Sequence, residues 1–538
     1  MGCTKGKDIL WPASTCADRQ SPPELLPWGR WRDTLNVLVD GDDAFRRGGW
    51  TRWGAEFEDV EDPDLHGVPV TTLYSWSQSW GNRILLAGST SGVYRWSPGS
   101  GVWSSISGVP TLEAGERRSF AALGSTCIIA GGLGGATAEG IRSYTIGDAG
   151  ATTVPDLVTL EVSSANFVAE WRGVVFLLDV VMEGVRVGHR VLWSARNNPL
   201  SYVPETDSIA GFQDLDLGEF ILGAAVSGDS LYILTDRSIW RVIATGDEEV
   251  FRFQQVYKSE TGQRCLWAPY TLDVLPDGNM IYVGDGGKVY IYSPYQPAPT
   301  ETDWLSVGTT GLRKRTGACR LFSGKVCDNG GTIEYLVSYP ETEEDTEPTA
   351  TYSVDFDRLC VGRIDCGFWT FHIWYNLVAE CPRPTQLILS SAQDDALKEA
   401  RFFDVYTREV WNAELEDWEQ EDYTSELWSG ALHFDLTGQD KRMPRMDVLA
   451  YTPADQESGN IWLSVGFSNY PADPIGHYRA CPITWFTLST KEVPCRAATS
   501  APVPWRFMVQ GRYLYFRLTL TGDAVALSQI LANVEALG

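Results

Sequence analysis

The feature that most constrains the fold of this 538-residue chain is a repeated unit of two short strands joined by a tight turn. Clear copies are WGNRILLAGSTSGVYRW (80–96), SGDSLYILTDRSIWRV (227–242) and DGNMIYVGDGGKVYIY (277–292), with degenerate copies at RRSFAALGSTCIIAGG (117–132) and VAEWRGVVFLLDVV (168–181). One hairpin cannot bury both of its faces, so neighbouring units must stack around an axis. The spacing of about 35 to 60 residues between copies is typical of propeller blades. The sequence therefore predicts an all-β chain built on a β-propeller.

The segments on either side of these repeats differ from them. Residues 1–65 are rich in proline and turn residues and predict an extended N-terminal arm that serves as a docking segment. We expect the propeller over 66–400 and a C-terminal domain, similar to a β-sandwich, over 401–538. Closure of the propeller by this last domain is an open alternative. The pattern at 394–406 suggests one or two helical turns, and the final residues fit either a helix or a last strand.

Charge and apolar patterning exclude two classes of protein. The chain has 43 Lys and Arg against 70 Asp and Glu, a net charge of −27, and such a surface repels the phosphates of a nucleic acid. No run approaches the length of apolar residues that a membrane-spanning helix needs, so we expect no membrane insertion. The first residues lack the apolar segment of a signal peptide. The 11 cysteines include no C-x-x-C pair, which favours free thiols in a protein made in a reducing cytosol.

The sequence contains no local constellation for catalysis. The five histidines form neither H-E-x-x-H nor another metal-binding spacing, and GGLGG (131–135) lacks the Lys-Ser/Thr of a phosphate-binding loop. The nearest match to a nucleophile elbow, GSTSG (88–92), has Thr90 at its centre. We therefore predict no catalytic residue, no metal, no cofactor and no enzymatic activity. The abundant carboxylates leave glycosidase activity as an alternative, because two carboxylates across a cleft suffice for glycoside hydrolysis.

Two groups of residues are candidates for interaction. Four tryptophans lie close together in the N-terminal arm: Trp28, Trp31, Trp50 and Trp53. The arm contains little of the repeated strand pattern that could bury them. Large aromatic side chains are typical anchors for docking onto another subunit, and packing on their own domain is the alternative. Two acidic runs, ETEEDTE (341–347) and ELEDWEQED (414–422), are typical of solvated loops or exposed hairpin edges.

Several short motifs resemble a known family. The succession LYSWSQSWGNRILLAGSTSGVYRW (73–96), VLWSARNNPLSYVPE (191–205) and GDSLYILTDRSIWRV (228–242) resembles the tail nozzle proteins of short-tailed bacteriophages, which are tail tubular protein B-like virion proteins. The matching positions are Leu192-Trp193-Ser194, Asn198-Pro199, Asp229 and Ser238-Ile239-Trp240. The closing GRYLYFRLTLTG (511–522) is similar to the final β-domain strands of these proteins.

This resemblance implies a structural role in a virion tail. It predicts a homo-oligomeric ring, hexameric in the family, that docks on adaptor and portal proteins, contacts tail fibre or tail-tip proteins, and is made in the host cytoplasm. DNA would pass through the ring without being held, which suits an acidic lumen. The expected lumen or rim carboxylates are Glu341, Glu343, Glu344, Asp345, Glu347, Glu416, Asp417 and Glu419. The alternatives are a carbohydrate-binding or glycoside-cleaving β-propeller and a tail-tip protein that recognises the host.

Overall fold

The structure, a computed structural model, is built almost entirely of β-sheet. It describes residues 7–12, 31, 33–40, 43–47, 50–53, 65, 67–77, 83–97, 101–113, 115–132, 140–205, 208–245, 250–260, 263–302, 318–328, 333–342, 344–356, 360–375, 385–400, 407–412, 417–422, 424–429, 431–432, 440–451, 459–468, 483–488, 490–493, 501–522 and 525–537. In these ranges the single α-helix is α1 (Pro155–Thr159), and three 3-10 helices cover Pro269–Thr271, Asp285–Gly287 and Ala318–Arg320. No helix found there is long and apolar enough to cross a membrane.

Five short strands precede the first blade of a propeller. They are β1 (Lys7–Pro12), β2 (Asp33–Leu35), β3 (Val37–Asp40), β4 (Asp43–Arg46) and β5 (Trp50–Arg52). Three antiparallel four-stranded sheets follow directly along the chain. Blade one comprises β6 (Val70–Ser77), β7 (Arg83–Ser89), β8 (Val93–Ser97) and β9 (Val102–Ser105). Blade two comprises β10 (Arg118–Leu123), β11 (Thr126–Gly131), β12 (Arg142–Thr145) and β13 (Thr152–Thr153). Blade three comprises β14 (Val162–Trp171), β15 (Val174–Met182), β16 (Val185–Trp193) and β17 (Gly211–Asp214).

Four further sheets complete the propeller. Blade four comprises β18 (Ile221–Ser227), β19 (Ser230–Thr235), β20 (Ser238–Ala244) and β21 (Phe251–Lys258). Blade five comprises β22 (Asp273–Val274), β23 (Met280–Val283), β24 (Val289–Tyr292) and β25 (Thr300–Glu301). Blade six comprises β26 (Ser323–Asp328), β27 (Ile333–Tyr339), β28 (Ala350–Asp355) and β29 (Cys360–Ile364). Blade seven begins with β30 (Phe368–Tyr375), β31 (Thr385–Ser391) and β32 (Leu397–Ala400).

The position of a strand within its blade explains its composition. The first strands of successive blades contact one another around the ring, and β30 of blade seven contacts β6 of blade one. Second strands lie between two neighbouring blades, so both of their faces are buried, as in VVFLLDVVM of β15 and SLYILT of β19. Fourth strands lie at the outside, and β21 accordingly has exposed positions along its length. The apolar runs visible in the sequence are therefore mostly second strands.

The start of the chain closes the ring. Strand β5 pairs antiparallel with β32 and so supplies the fourth strand of blade seven. Next to β5 lie β33 (Thr407–Asn412) and β34 (Asp417–Asp422), which widen the same sheet. The last blade thus joins strands from both sides of the propeller, which fixes blade one against blade seven.

The C-terminal domain is a β-sandwich that also includes the N-terminal strands. Its strands are β35 (Ser425–Trp428), β36 (Asp440–Tyr451), β37 (Gly459–Ser468), β38 (Thr484–Thr487), β39 (Lys491–Val493), β40 (Ala501–Gly511), β41 (Tyr513–Gly522) and β42 (Ala526–Leu537). One sheet contains β1, β3, β4, β42, β36 and β40. The other contains β2, β35, β41, β37, β38 and β39, and β2 also pairs with β29, which makes it continuous with blade six. One apolar cluster fills the space between the sheets.

The predicted fold class, a β-propeller with a C-terminal domain similar to a β-sandwich, is confirmed. The helical expectation at 394–406 is wrong where the structure describes it, because Leu397–Ala400 is strand β32, held between β31 and β5. Residues 401–406 lie outside the described part of the chain. The ambiguous final segment is strand β42.

Candidate functional site

A cleft of about 670 Å³ lies between the outer strands of blades three and four. On one side lie Trp193, at the end of β16, and the segment 208–216, which contains β17. On the other side lie Trp240 of β20 and residues 250–253, which lead into β21. We call this cavity the interblade cleft. Its volume is in the range of pockets that hold small molecules.

Four aromatic side chains line the interblade cleft. Trp193, Phe251 and Phe253 form one group, in which the ring centroid of Trp193 is 5.5 Å from that of Phe251 and 5.7 Å from that of Phe253. Phe251 and Phe253 face the same side because they are two residues apart on a strand. Trp240 is the fourth ring. All four are only partly buried, so the cleft combines flat apolar walls with solvent contact.

Hydrogen bonds and a close backbone approach hold the two indole rings in place. Nε1 of Trp193 donates to the backbone oxygen of Ile209 at 2.6 Å, and Nε1 of Trp240 donates to Oγ of Ser238 at 2.7 Å. A Cβ atom at position 211 would lie 2.9 Å from Cζ2 of Trp193, so Gly211 allows this ring to lie against β17. Both indole N–H groups are therefore occupied inside the protein. The rings can offer only their apolar surfaces to a ligand.

Polar groups form the rim of the cleft. The structure places Ser208, Gln213, Asp214, Asp216 and Arg252 among its lining residues. The side chains of Gln213 and Arg252 are exposed. The side-chain amide of Gln213 donates to the backbone oxygen of Asp214 at 2.8 Å, which leaves its carbonyl group for other partners. The rim therefore offers both donors and acceptors beside the aromatic walls.

The two rim carboxylates are already paired with cations. Arg190 donates from Nε and Nη2 to the two oxygens of Asp214, at 2.6 Å each, and this hydrogen bonding lowers the pKa of Asp214 below its usual value. Nζ of Lys258 donates to Asp216, and that hydrogen bond lowers the pKa of Asp216. Both groups are ionised at neutral pH. A glycosidase needs one carboxylic acid that keeps its proton, and neither Asp214 nor Asp216 meets that need.

Three of the four predicted docking tryptophans are buried inside the protein. Trp31 is 0% exposed in the sandwich core, where its ring centroid is 5.6 Å from that of Phe516. Trp50 and Trp53 are each 3% exposed, Trp50 against Phe368 of blade seven and Trp53 among core residues of blades one and seven. Trp28 lies outside the described residues. Trp31, Trp50 and Trp53 serve the chain's own cores because the N-terminal strands pair inside both domains, which corrects the expectation of docking anchors for these three residues.

The predicted carboxylates that the structure describes lie on two different blades. Residues 341–342 and 344–347 belong to the turn between β27 and β28, where Glu341 and Glu344 are exposed. Oε1 of Glu341 is 2.6 Å from Nη1 of Arg363. Burial opposes the ionisation of Asp345, but hydrogen bonds from Thr342 and Thr349 hold its pKa below the usual value. Burial, followed by the charges of Asp395 and Asp345, raises the pKa of Glu347. The structure does not unite these residues in one site with the second run.

The second acidic run lies at the widened edge of blade seven. Asp417 begins β34, and the exposed Glu419 accepts a hydrogen bond from Nδ2 of Asn412 at 2.9 Å. Glu343 and Glu416 lie outside the described part of the chain. Both runs are thus local features of a turn and of an edge hairpin. No metal-binding group of His, Cys, Asp or Glu is found among the residues that the structure describes.

Sequence reasoning missed the interblade cleft as a site. Trp193 and Trp240 were noticed only as markers of a family resemblance, and nothing in their spacing shows that blades three and four bring them to one cavity. One local signal was present, because Phe251 and Phe253 alternate with the exposed polar residues Arg252 and Gln254 on β21. Aromatic side chains on one face of an outer strand indicate a surface that something covers.

No protein-family profile and no curated protein matches this sequence. Among solved structures, an ancestral GH74 enzyme is similar at 9% identity and a TM-score of 0.40, over 73% of this chain and 51% of that one. The present chain thus corresponds to about half of that enzyme's length. The exo-beta-1,3-galactanase of Phanerochaete chrysosporium with beta-1,3-galactotriose is similar at 10% identity and a TM-score of 0.29, over 87% and 100% of the two chains. Dihydro-heme d1 dehydrogenase NirN is similar at 11% identity and a TM-score of 0.36, over 72% and 82%.

These findings correct the expectation of a tail nozzle. The similar structures include glycoside hydrolases and a dehydrogenase, and none of those named here is a virion protein. Trp31, Trp50 and Trp53 are buried in the chain's own domains, so they do not supply the surface on which ring docking was expected to rest. The expectation that the chain has no enzymatic activity stays a prediction, because similarity at 9% and 10% identity shows no activity. The sequence resemblance to nozzle proteins, with its ring partners and virion location, stays a prediction.

Proposed function

We propose that this chain binds carbohydrate in the interblade cleft. The observation that carries the proposal is the combination of four partly exposed aromatic rings with a polar rim in one cavity of about 670 Å³. Sugar rings have apolar faces bounded by hydroxyl groups, so they suit a wall of aromatic rings edged by donors and acceptors. Fixed indoles add affinity because they lose little conformational freedom when a ligand binds.

The state of the carboxylates favours binding over cleavage at this cleft. Asp214 and Asp216 are held ionised by Arg190 and Lys258, so they can accept hydrogen bonds from sugar hydroxyls but cannot donate a proton to a leaving group. A cleaving enzyme would need a protonated carboxylic acid there. We therefore expect oligosaccharides to bind in the cleft without being hydrolysed.

The test is a glycan array followed by titration of the full chain with soluble oligosaccharides, using cellotetraose, chitotetraose and beta-1,3-galactotriose as first probes. We expect saturable changes in tryptophan fluorescence, because the rings lie at the site. Trp240→Ala should weaken binding at least about tenfold, which corresponds to about 1.4 kcal/mol. Product analysis by chromatography should show no shortened oligosaccharide.

Trp462→Ala is the matched control, because Trp462 is a half-exposed tryptophan on β37 of the sandwich. It should bind the probes as the wild type does. Binding that Trp240→Ala leaves unchanged, in a variant that keeps its circular dichroism spectrum, would place the sugar elsewhere. No binding to the array or to millimolar probes would overturn the proposal.

A further inference from the structure

Glu219 is a buried carboxylate between the two walls of the interblade cleft. It lies in the segment that joins β17 of blade three to β18 of blade four, and it is 3% exposed. One cleft wall, residues 208–216, comes just before it in the chain, and the other wall belongs to blade four. Glu219 itself does not line the cleft. A buried carboxylate needs hydrogen bonds to offset its lost hydration, and blade four supplies them.

Two buried hydroxyl groups of blade four donate to Glu219. Oγ1 of Thr235, at the end of β19, donates to Oε2 of Glu219 at 2.7 Å. Oγ of Ser238, at the start of β20, donates to the same oxygen. Both hydroxyl residues are fully buried, so water does not compete for these bonds. Because a carboxylate accepts hydrogen bonds and cannot donate them, the proton of the Ser238 hydroxyl points to Glu219.

The oxygen of Ser238 in turn accepts the indole proton of Trp240. Nε1 of Trp240 donates to Oγ of Ser238 at 2.7 Å, and the two residues share one face of β20 because they are two positions apart. A hydroxyl that donates to a carboxylate becomes a stronger acceptor, so the two hydrogen bonds strengthen each other. The hydrogen bonds therefore run from Trp240, which lines the cleft, through Ser238 to Glu219 behind it.

Lys258 holds the other oxygen of Glu219. Its Nζ lies 3.3 Å from Oε1 of Glu219 and also donates to Asp216 at the rim of the cleft. The opposite charge of Lys258 offsets part of the cost of burying the carboxylate. Glu219 is thus fixed at both oxygens, by the ammonium group at Oε1 and by the two hydroxyl groups at Oε2. A carboxylate fixed in this way gives Ser238 a single direction in which to donate.

We propose that Glu219 is a positioning residue that orients Trp240 in the cleft wall through the hydroxyl group of Ser238. Its part in binding rests on the proposed function, because the ligand of the oriented ring is the carbohydrate proposed for the interblade cleft. A ring held in one orientation loses less freedom when a sugar binds, so its orientation contributes to affinity. The hydrogen bonds themselves can be observed without any sugar, and the two ideas can therefore be tested separately.

The first measurement is a ¹H–¹⁵N NMR spectrum of the indole N–H groups in the full chain. The signals of Trp240 and Trp193 are assigned by their loss in Trp240→Phe and Trp193→Phe. We expect Glu219→Gln to move the Trp240 signal upfield and to speed its exchange with water, because Ser238 no longer donates to a charged oxygen. The Trp193 signal is an internal reference, because its Nε1 donates to the backbone of Ile209.

Glu170→Gln is the matched control. Glu170 is a half-buried carboxylate on β14 of blade three, and its Oε1 accepts a hydrogen bond from the backbone N–H of Gly173 at 2.8 Å. This substitution should leave the Trp240 signal and the affinity for sugar as in the wild type. An unchanged Trp240 signal in Glu219→Gln would overturn the proposal. Should Glu219→Gln fail to fold, a Trp240 indole proton that exchanges in the wild type as fast as that of free tryptophan would overturn it as well.

The second measurement is the titration of the same variants with cellotetraose, chitotetraose and beta-1,3-galactotriose. Glu219→Gln and Ser238→Ala should each weaken binding about three- to tenfold, which corresponds to one hydrogen bond. The double variant should bind as Ser238→Ala does, because Glu219 acts through Ser238. Equal affinities of Glu219→Gln and wild type, or additive losses in the double variant, would overturn the role in binding. A shifted Trp240 signal in a protein that binds no sugar would support the orientation of the ring and overturn the proposed function alone.

Discussion

The ionisation of His372 is set by its position between two blades. The residue lies on β30, and its Nε2 is 2.9 Å from Oγ of Ser75 on β6. Burial, followed by the positive charges of Lys325 and Arg83, lowers the pKa of His372 to about 3. The imidazole is therefore neutral in the folded protein, while in the unfolded chain it takes up a proton near pH 6.5. Sequence alone could not predict that His372 is neutral, because its neighbour Ser75 is 297 residues away in the chain.

This difference makes stability depend on pH. Between pH 6.5 and about pH 3 the unfolded state binds one more proton than the folded state at His372, so the free energy of unfolding falls as the pH falls. Between pH 7 and pH 5 the loss from this group is about 2 kcal/mol. His372→Gln keeps a hydrogen-bonding group without the titration, so urea unfolding should show a pH dependence smaller by about that amount. Matching pH profiles for His372→Gln and wild type would contradict the prediction.

The short strand β5 is the element that closes the propeller. It pairs with β32, and Trp53 immediately after it packs against Trp96 and Trp103 of blade one, with centroid distances of 4.5 and 5.8 Å. The indole Nε1 of Trp53 also approaches Oε1 of Gln386 on β31 at 3.5 Å. One side chain thus contacts the first and the last blade. Packing at this point resists separation of the two blades.

We expect Trp53→Ala to destabilise the protein by about 3–5 kcal/mol, because it removes a large buried ring at the junction of two blades. Urea unfolding followed by circular dichroism measures the change. Trp462→Ala is the matched control, since its ring is 42% exposed and its loss should cost less than about 1 kcal/mol. Equal destabilisation by the two substitutions would show that ring closure does not depend on Trp53.

Elements with local signals could be predicted from sequence, and those with distant partners could not. The hairpins at 80–96 and 227–242 follow from apolar second strands and turn residues, both of which are local. Strand β5 is only three residues long, which is too short to show a periodic pattern. Its partner strand lies about 350 residues later, so no local signal predicts the pairing. The interblade cleft could not be predicted for the same reason, because Trp193 and Trp240 line one cavity only when blades three and four pack together.

At the scale of the whole molecule, propeller and sandwich share a buried junction at Asn36. Its side-chain Nδ2 donates to Oδ1 of Asp365 beside blade six at 3.1 Å and to the backbone oxygen of Thr424 beside the sandwich at 2.8 Å. Its backbone N–H donates to the oxygen of Arg363 at 2.6 Å, and its φ of 54° lies in the left-handed region that asparagine tolerates. Asn36 therefore connects the two domains through the hydrogen bonds of its side chain and of its backbone N–H group.

The wild type should therefore unfold in one calorimetric transition, with equal calorimetric and van't Hoff enthalpies. Asn36→Ala removes the shared hydrogen bonds and strains the backbone, so we expect the van't Hoff enthalpy to fall below the calorimetric one as the two domains separate. Asn197→Ala is the control, because Asn197 also has a positive φ, of 58°, but lies in an exposed turn of blade three. Two resolved transitions in the wild type would contradict a shared unfolding unit.

The pairing of the first strands with the last one bears on how the chain folds during synthesis. Strand β42 lies between β36 on one side and β1 and β4 on the other. The residues of β4 therefore find their partner only after about 480 further residues have been made, and those of β1 only after about 520. At about 5–20 residues per second this delay is about half a minute to a minute and a half. During that time the apolar side chains of Val37 on β3 and Ala44 on β4 lack the sandwich core in which they are finally buried. Chaperone capture or aggregation of incomplete chains would therefore begin at the N-terminus.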